Sequence, residues 1–118
     1  MPTLEEVVEK FETWWANSAR VQVNWEGLAA AAADQNLITA QVDGRVLSVH
    51  PEGERSLVYV GQMGRNNSVI RMYLSAGCTF QSLPLPGNEE AFANLESRIR
   101  IAFPNGEHCF VHFFNPSN

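Results

Sequence analysis

The chain begins with a segment whose apolar residues recur at helical spacing. They stand every three or four positions, as Phe11 and Trp14 do, and glutamates fill the opposite face. Thr3 occupies a favoured helix-capping position, and Glu6 follows three residues later, as a capping box requires. This pattern predicts a first helix that ends near residues 17–20.

The middle of the chain changes to alternation of apolar and polar residues, which is typical of strands. Residues 38–42 and 45–50 both alternate, and Asp43-Gly44 stands between them. Asp-Gly favours a two-residue hairpin turn, because both turn positions need positive φ. We therefore predict a type I′ turn here and two paired strands. Four residues should share the buried face of this hairpin: Ile38, Ala40, Leu47 and Val49.

Shorter alternating runs extend the predicted meander toward the carboxyl end. Residues 21–25 fit either a short strand or a connector. A turn is predicted at residues 51–54, where proline and glycine interrupt the pattern. Four further strands are predicted, at residues 57–61, 68–74, 78–83 and 107–114.

Two later segments are predicted to be helical. Residues 25–35 are rich in alanine, which has the highest intrinsic helix propensity. Residues 88–102 begin with Asn88, a good cap, and end before Pro104. The buried stripe of this last helix would consist of Phe92, Leu95, Ile99 and Ala102.

Together these elements predict one α+β domain over residues 1–118. Its sheet should have five or six mainly antiparallel strands in a β-meander, with two or three helices packed on one face. An acidic chain with an amino-terminal helix, a meander and a later helix is similar in layout to the type III secretion chaperones, although two more strands precede its late helix. This resemblance implies a chaperone-like role in binding another protein.

Composition and charge narrow the possible partners. Hydrophobic residues make up 45% and charged residues 18% of the chain, as is usual for a folded protein. The net charge of −5 repels phosphate backbones and anionic lipid heads, so we expect neither nucleic acid nor membrane as a partner. The first residues are acidic where a secretory signal would be basic, which favours a cytoplasmic protein.

The cysteines and histidines show no pattern of metal ligands, and no motif indicates a cofactor. His108 and His112 stand four apart on a predicted strand, so about 13 Å separates them and they cannot bind one metal ion together. Cys109 should point to the opposite face. Cys78 and Cys109 both lie in strand-like segments, where they could remain free thiols or form a disulfide.

One short motif resembles part of a nuclease signature. Residues 59–61 read Tyr-Val-Gly, and with Arg71 downstream they are similar to the second half of the GIY-YIG motif. Residues 46–50, where the first half should stand, lack both its glycine and its tyrosine. The resemblance would also require residues 68–74 to form a helix.

Two classes of function remain, and the first is a binding protein. It would be a small partner- or ligand-recognising module, similar to a chaperone, an adaptor or an immunity protein, that forms a homodimer or binds a protein partner. The outer face of the last strand should carry apolar area too large for a monomer to expose. Its histidines would weaken association below about pH 6. The predicted contact residues are Phe110, His112, Phe114, Tyr73 and Trp15.

The second class is a small enzyme whose site is assembled from scattered polar residues on the open sheet face. No sequence motif marks a nucleophile or an activating base in this chain. The sequence therefore favours a binding protein over an enzyme. The candidate residues for an enzymatic site are Arg71, Tyr59, His50 and Glu54.

Overall fold

The computed structural model describes residues 2–28, 37–62, 69–85 and 94–116. Over these ranges the chain forms one α-helix and seven β-strands. In chain order they are α1 (Leu4–Asn17), β1 (Arg20–Leu28), β2 (Leu37–Glu52), β3 (Arg55–Gly61), β4 (Val69–Leu74), β5 (Thr79–Ser82), β6 (Leu95–Ala102) and β7 (His108–Phe114).

The first helix is confirmed together with its capping box. The Thr3 hydroxyl accepts a hydrogen bond from the backbone N–H of Glu6, and the Glu6 carboxylate accepts one from the N–H of Thr3, both at 3.2 Å. The helix ends at Ser18, which adopts a left-handed conformation with φ 49°. Val7 and Phe11 form its buried side.

The seven strands form one antiparallel sheet made of two meanders. Its strand order is β4-β3-β2-β1-β7-β6-β5, so β1 to β4 follow one another on one side and β7 to β5 on the other. The two meanders join where β1 pairs with β7, with Val23 opposite Val111. The predicted succession of residues 45–50, 57–61 and 68–74 is confirmed, but residues 79–82 lie at the opposite edge instead of beside β4, and the sheet is larger than expected.

The sheet must be rolled, because its two edge strands are consecutive in the chain. β4 and β5 lie at opposite edges, yet only residues 75–78 connect them. The five steps from Leu74 to Thr79 reach at most about 18 Å. Seven strands laid flat would separate the two edges by about 29 Å. The sheet therefore curls until its edges approach each other.

The predicted hairpin turn at Asp43-Gly44 is wrong, because both residues lie inside the long strand β2. Residues 37–45 of β2 pair with β1, whereas residues 45–52 pair with β3. A Cβ atom on Gly44 would lie 2.0 Å from the carbonyl oxygen of Gly61. The glycine thus permits a close approach of two backbones and not a turn.

β2 is the corner of the rolled sheet. It changes partner near Arg45, and its register shifts by one residue between Val46 and Ser48, which indicates a β-bulge. We call the first half of β2, together with β1, β7, β6 and β5, the five-stranded side. The second half of β2 with β3 and β4 is the three-stranded side.

Because residues 37–52 form one strand, the buried residues also differ from those predicted. Val49 is buried, as expected, but Leu47 is only half-buried and Ala40 is exposed. The burial of Ile38 lies outside the described residues.

Two predicted helices are strands where the structure describes them. Residues 25–28 belong to β1 and residues 95–102 to β6, while residues 29–35 and 88–93 lie outside the described ranges. In β6 the alternation Arg98-Ile99-Arg100-Ile101 has a period of two, and it places both isoleucines in the core. The described chain thus has seven strands and one helix, instead of five or six strands and two or three helices.

The core lies between α1 and the concave face of the sheet. Phe113 of β7 is fully buried, and its ring meets those of Phe11 and Trp14 edge-on, at centroid distances of 5.1 and 5.3 Å. The Trp14 indole N–H donates to the carbonyl oxygen of Phe114 at 2.8 Å. Within the described ranges, no helix has both the length and the apolar character needed to cross a membrane.

Candidate functional site

A cleft of about 390 Å³ is lined by residues of the five-stranded side, of the three-stranded side and of the turn between β6 and β7. We call it the mouth cleft. Its volume lies within the range of small-molecule sites in proteins, about 300–1,000 Å³. Six side chains give it its chemistry: Trp25, Phe103 and Glu107 on one wall, and Arg55, Arg71 and Tyr73 on the other.

The first wall is a pair of stacked aromatic rings held by a carboxylate. Trp25 continues the inward alternation of β1, and its ring lies 4.7 Å from that of Phe103 at an interplanar angle of 24°. The Trp25 indole N–H donates to the carboxylate of Glu107 at 3.2 Å. Asn105 accepts a hydrogen bond from the backbone N–H of Glu107 at 3.0 Å, which fixes the turn between β6 and β7.

The second wall places two guanidinium groups around one tyrosine ring. Arg55 lies 4.1 Å from the centroid of the Tyr73 ring, and Arg71 lies 5.9 Å from it. Such contacts orient an arginine without neutralising its charge. Arg55 approaches the carboxylate of Glu52 only to 3.9 Å, and Arg71 forms no ion pair with any described residue. Both guanidinium groups therefore keep most of their donors available.

This arrangement suits recognition of a polar group beside a flat body. A guanidinium presents a planar set of donors that matches a carboxylate or a phosphate. The aromatic rings offer apolar contact area next to it, and the Glu107 carboxylate adds one acceptor on the opposite wall. Aromatic and arginine side chains together are the residues that most often dominate binding energy at interfaces.

A larger cavity, of about 540 Å³, lies at the corner of the sheet and is less suited to binding. Its lining includes Arg20, Arg45 and the carboxyl end of α1. The Arg20 guanidinium is already bound to the carboxylate of Asp43 at 2.6 and 2.8 Å. This hydrogen bond raises the pKa of Arg20 against the effect of burial. The helix carbonyls also disfavour an anion at this end.

The five residues predicted to contact a partner are spread over three places. Tyr73 lies in the mouth cleft on β4, which β3, β2 and β1 separate from β7. Trp15 lies on α1 and keeps 41% of its surface exposed. Phe110, His112 and Phe114 share the outer face of β7, opposite the core.

The outer face of β7 is more covered than we expected. Phe114 is only 3% exposed and His112 only 6%, while Phe110 is half-buried. The Arg20 guanidinium lies 4.1 Å from the Phe114 ring centroid. Burial lowers the pKa of His112, and the positive charge of Arg98 lowers it further. The apolar patch that motivated the dimer prediction is therefore small in the described part of the chain.

The four residues considered for an enzymatic site are partly brought together. Tyr59 and Arg71 are cross-strand partners on the three-stranded side, while His50 is exposed on β2 and Glu54 lies in the turn before β3. No side-chain hydrogen bond joins any two of the four. The nuclease resemblance is also contradicted, because residues 69–74 form a strand where its motif needs a helix.

The two cysteines are free thiols buried in the core. Burial raises the pKa of the Cys109 thiol, and the nearby Cys78 adds to this rise. A thiol of that kind is a poor nucleophile. In the part of the chain that the structure describes, no group of three or more histidine, cysteine, aspartate or glutamate side chains is arranged to hold a metal ion.

Most residues of the mouth cleft were not predicted as site residues. Of the six, only Tyr73 and Arg71 were candidates, and Trp25 was assigned to a helix. The alternation of Val21, Val23 and Trp25 was a usable sign that this segment is a strand with Trp25 inside. The meeting of Trp25 with Arg55 depends on the corner in β2, and no local pattern indicates it.

Comparison with known proteins gives no further guide to function. No protein-family model matches the chain, and no curated protein or solved structure matches it either. The similarity in layout to the type III secretion chaperones also loses support, because residues 95–102 of the predicted late helix form a strand. Function must therefore be inferred from the cleft itself.

Proposed function

We propose that this protein is a small acidic binding module that recognises a ligand, or a group of a protein partner, in the mouth cleft. One observation carries this proposal. Two guanidinium groups flank Tyr73 on one wall, and the stacked rings of Trp25 and Phe103 stand on the other.

The charged groups of the cleft are not explained by the needs of folding, although the rings of Trp25 and Phe103 pack against the core. Core aromatic rings such as Phe11 and Phe113 pack against each other and are fully buried. In contrast, Arg71 is exposed and pairs with no described carboxylate, although the chain has an excess of acidic residues. A free guanidinium beside an aromatic ring contributes little to stability and is well suited to binding an anionic group.

Binding is supported over catalysis because none of the four enzymatic candidates is activated by a neighbouring group among the described residues. Catalysis requires a nucleophile or base held by a hydrogen bond. No side-chain hydrogen bond joins two of the four enzymatic candidates. The Cys109 thiol is buried, and its pKa is raised. A small enzyme with a site of scattered polar residues is the alternative, and Arg71 and Tyr59 would be its centre.

A protein partner or a second copy of the chain is part of the proposal. The outer face of β7 would be the contact, with the half-buried Phe110 at its centre. Nucleic acid and membrane remain disfavoured by the net charge of −5. We also propose a cytoplasmic location, which the two free thiols support, since reducing compartments keep cysteines in that state.

Native mass spectrometry of the protein after incubation with a small-molecule extract of its host tests the binding function. The wild type should retain a ligand, and Arg71→Glu should lose it. Arg100→Glu is the matched control, because Arg100 is half-exposed on β6, lies away from the cleft and forms no ion pair with a described residue. It makes the same change in charge and should retain the ligand.

The proposal fails if both variants lose the ligand equally, since net charge alone would then explain binding. It also fails if neither variant loses it. For the homodimer, sedimentation of the wild type and of Phe110→Glu decides: a folded Phe110→Glu monomer beside a wild-type dimer supports the β7 contact, and two monomers contradict it.

A further inference from the structure

The two walls of the mouth cleft carry opposite charges. Arg55 and Arg71 supply two cationic groups around Tyr73, and Glu107 supplies a carboxylate on the facing wall. These charges do not form a salt bridge with each other, because Glu107 binds the Trp25 indole and Arg55 approaches only Glu52. The cleft therefore has a wall with two guanidinium groups, of which Arg71 has no described carboxylate partner, and a wall with one carboxylate.

We propose that the mouth cleft binds a dipolar ligand of amino-acid size, with a carboxylate that meets Arg55 and Arg71 and an ammonium group that meets Glu107. This proposal rests on the binding function proposed above and names the class of ligand. A dipolar molecule is the simplest one whose two charges match the two walls at once.

The carboxylate end is the better-defined half of the site. Arg71 has its donors free of described carboxylates, and the guanidinium groups of Arg55 and Arg71 lie 4.1 and 5.9 Å from the centroid of the Tyr73 ring. A guanidinium binds a carboxylate through two parallel hydrogen bonds, which also fixes the direction of the ligand. Ser75 lies in the same lining and adds a hydroxyl that can donate to the same group.

The ammonium end is defined by the second oxygen of Glu107. One carboxylate oxygen accepts the hydrogen bond from the Trp25 indole at 3.2 Å, and this contact orients the group. The other oxygen lies close to Gly27, where a Cβ atom would approach it to 2.8 Å. It makes no hydrogen bond with a described residue, so it can accept one from an ammonium group.

The body of the ligand would lie on aromatic surface. The rings of Trp25, Phe103 and Tyr73 all belong to the lining of the cleft. Aromatic rings make favourable contacts with a flat apolar group. An aromatic amino acid is therefore a better probe than a small one, and its size suits a cleft of about 390 Å³.

The same walls disfavour two other kinds of ligand. A dianionic phosphate would bring its charge near Glu107 as well as near the arginines, and a simple cation would meet two guanidinium groups. Both would gain from one wall and lose on the other. Only a molecule with both charges gains from each.

Isothermal titration calorimetry with three related probes tests this inference. L-phenylalanine carries both charges, L-phenylalaninamide lacks the carboxylate, and N-acetyl-L-phenylalanine lacks the ammonium group. Each modified probe should bind the wild type about tenfold more weakly, or worse, because it loses one charge-assisted hydrogen bond.

Two variants link each charge of the probe to its wall. Arg71→Gln should bind L-phenylalanine no more tightly than L-phenylalaninamide, but still more tightly than N-acetyl-L-phenylalanine. Glu107→Gln should bind L-phenylalanine no more tightly than N-acetyl-L-phenylalanine, but still more tightly than L-phenylalaninamide. The amide oxygen of Glu107→Gln can still accept the Trp25 hydrogen bond. Arg100→Gln, outside the cleft, should leave all three affinities unchanged.

The inference is overturned if either modified probe binds as well as L-phenylalanine, or if no probe binds at concentrations up to about 10 mM. If Arg71→Glu still fails to retain a host ligand that Arg100→Glu retains, only the proposed ligand class is wrong, and the proposed binding function is kept. If retention of the host ligand does not depend on Arg71 either, the binding function itself is wrong.

Discussion

Two tryptophans of this chain have the same kind of hydrogen bond in different surroundings. The indole of Trp14 donates to a backbone carbonyl at 2.8 Å and lies edge-on against the buried ring of Phe113. The indole of Trp25 donates to the carboxylate of Glu107 at 3.2 Å and stacks on Phe103 in an open cleft. The first region joins α1 to the sheet, and the second lies in a cleft that residues of both sides of the sheet line.

We propose that the first region serves stability and the second serves recognition. Around Trp14, apolar rings meet apolar rings, and burying that surface stabilises the fold. Around Trp25, the rings stand beside charged groups that the fold does not neutralise, as Arg71 shows. We therefore expect substitutions in the first region to change the free energy of unfolding, and substitutions in the second to change binding.

Phe11→Ala should have the largest effect on stability. Phe11 is 0% exposed and packs against Phe113, so the substitution leaves a cavity and should lower the free energy of unfolding by about 3–5 kcal/mol. Trp15→Ala, on the exposed side of the same helix, should cost less than about 1 kcal/mol. Denaturant titration measures both, and equal losses would contradict the assignment of the core.

Gly44→Ala should be the next most damaging change, because it acts on the corner that brings the cleft walls together. Its Cβ atom would lie 2.0 Å from the Gly61 carbonyl oxygen, and the forced separation should cost about 1–3 kcal/mol. Gly53→Asn is the control. Gly53 has φ 64° in open space, a conformation that asparagine tolerates. A Gly44→Ala protein as stable as the wild type would contradict the assignment of β2 as the corner of the rolled sheet.

His112 should make the protein less stable in mild acid. Burial, and then the charge of Arg98, lower its pKa below the ordinary 6.5, so the unfolded chain binds this proton more readily than the folded chain. The contribution of His112 to the free energy of unfolding is therefore fully present above about pH 6.5. It is lost as the pH drops toward the lower pKa of the folded state.

Unfolding measured at about pH 7.5 and pH 5.5 checks this prediction. His112→Gln should show a smaller loss of stability between the two pH values than the wild type. His50→Gln, at an exposed position, should behave as the wild type does. A larger loss in His112→Gln than in the wild type would contradict the predicted sign.

Arg71→Gln should have the smallest effect on stability and a large effect on binding. Arg71 is exposed and forms no ion pair with a described residue, so the free energy of unfolding should change by less than about 0.5 kcal/mol. Thermal unfolding measures this change. A loss of several kcal/mol would place Arg71 among the residues that hold the fold, and the contrast between the two regions would disappear.

The sequence predicted the elements whose local pattern agrees with their final position. The helix that Thr3 caps is such a case, and so are β3, β4 and β7, whose predicted bounds differ from those in the structure by at most two residues. The prediction of a turn at Asp43-Gly44 was wrong, because the same dipeptide that allows a tight turn also allows close backbone contact. Local chemistry alone does not distinguish these two uses of glycine.

The cleft could be predicted only in part, for a geometric reason. Tyr73 and Arg71 stand two residues apart on one strand, so their shared face follows from the period of a strand. Trp25 is distant from both in the chain. It reaches them because β2 changes partner at Arg45 and the sheet rolls up. Such long-range closure depends on the whole strand order.

The three indole N–H signals of the chain give the most direct test of the mouth cleft as a recognition site. They report separately on the core (Trp14), the exposed helix surface (Trp15) and the cleft (Trp25). A ¹H–¹⁵N spectrum is recorded before and after a small-molecule extract of the host is added. We predict that the Trp25 signal moves, that the other two stay, and that Arg71→Glu abolishes the shift. A Trp25 signal that stays in place, or one that moves equally in Arg71→Glu, would contradict this prediction.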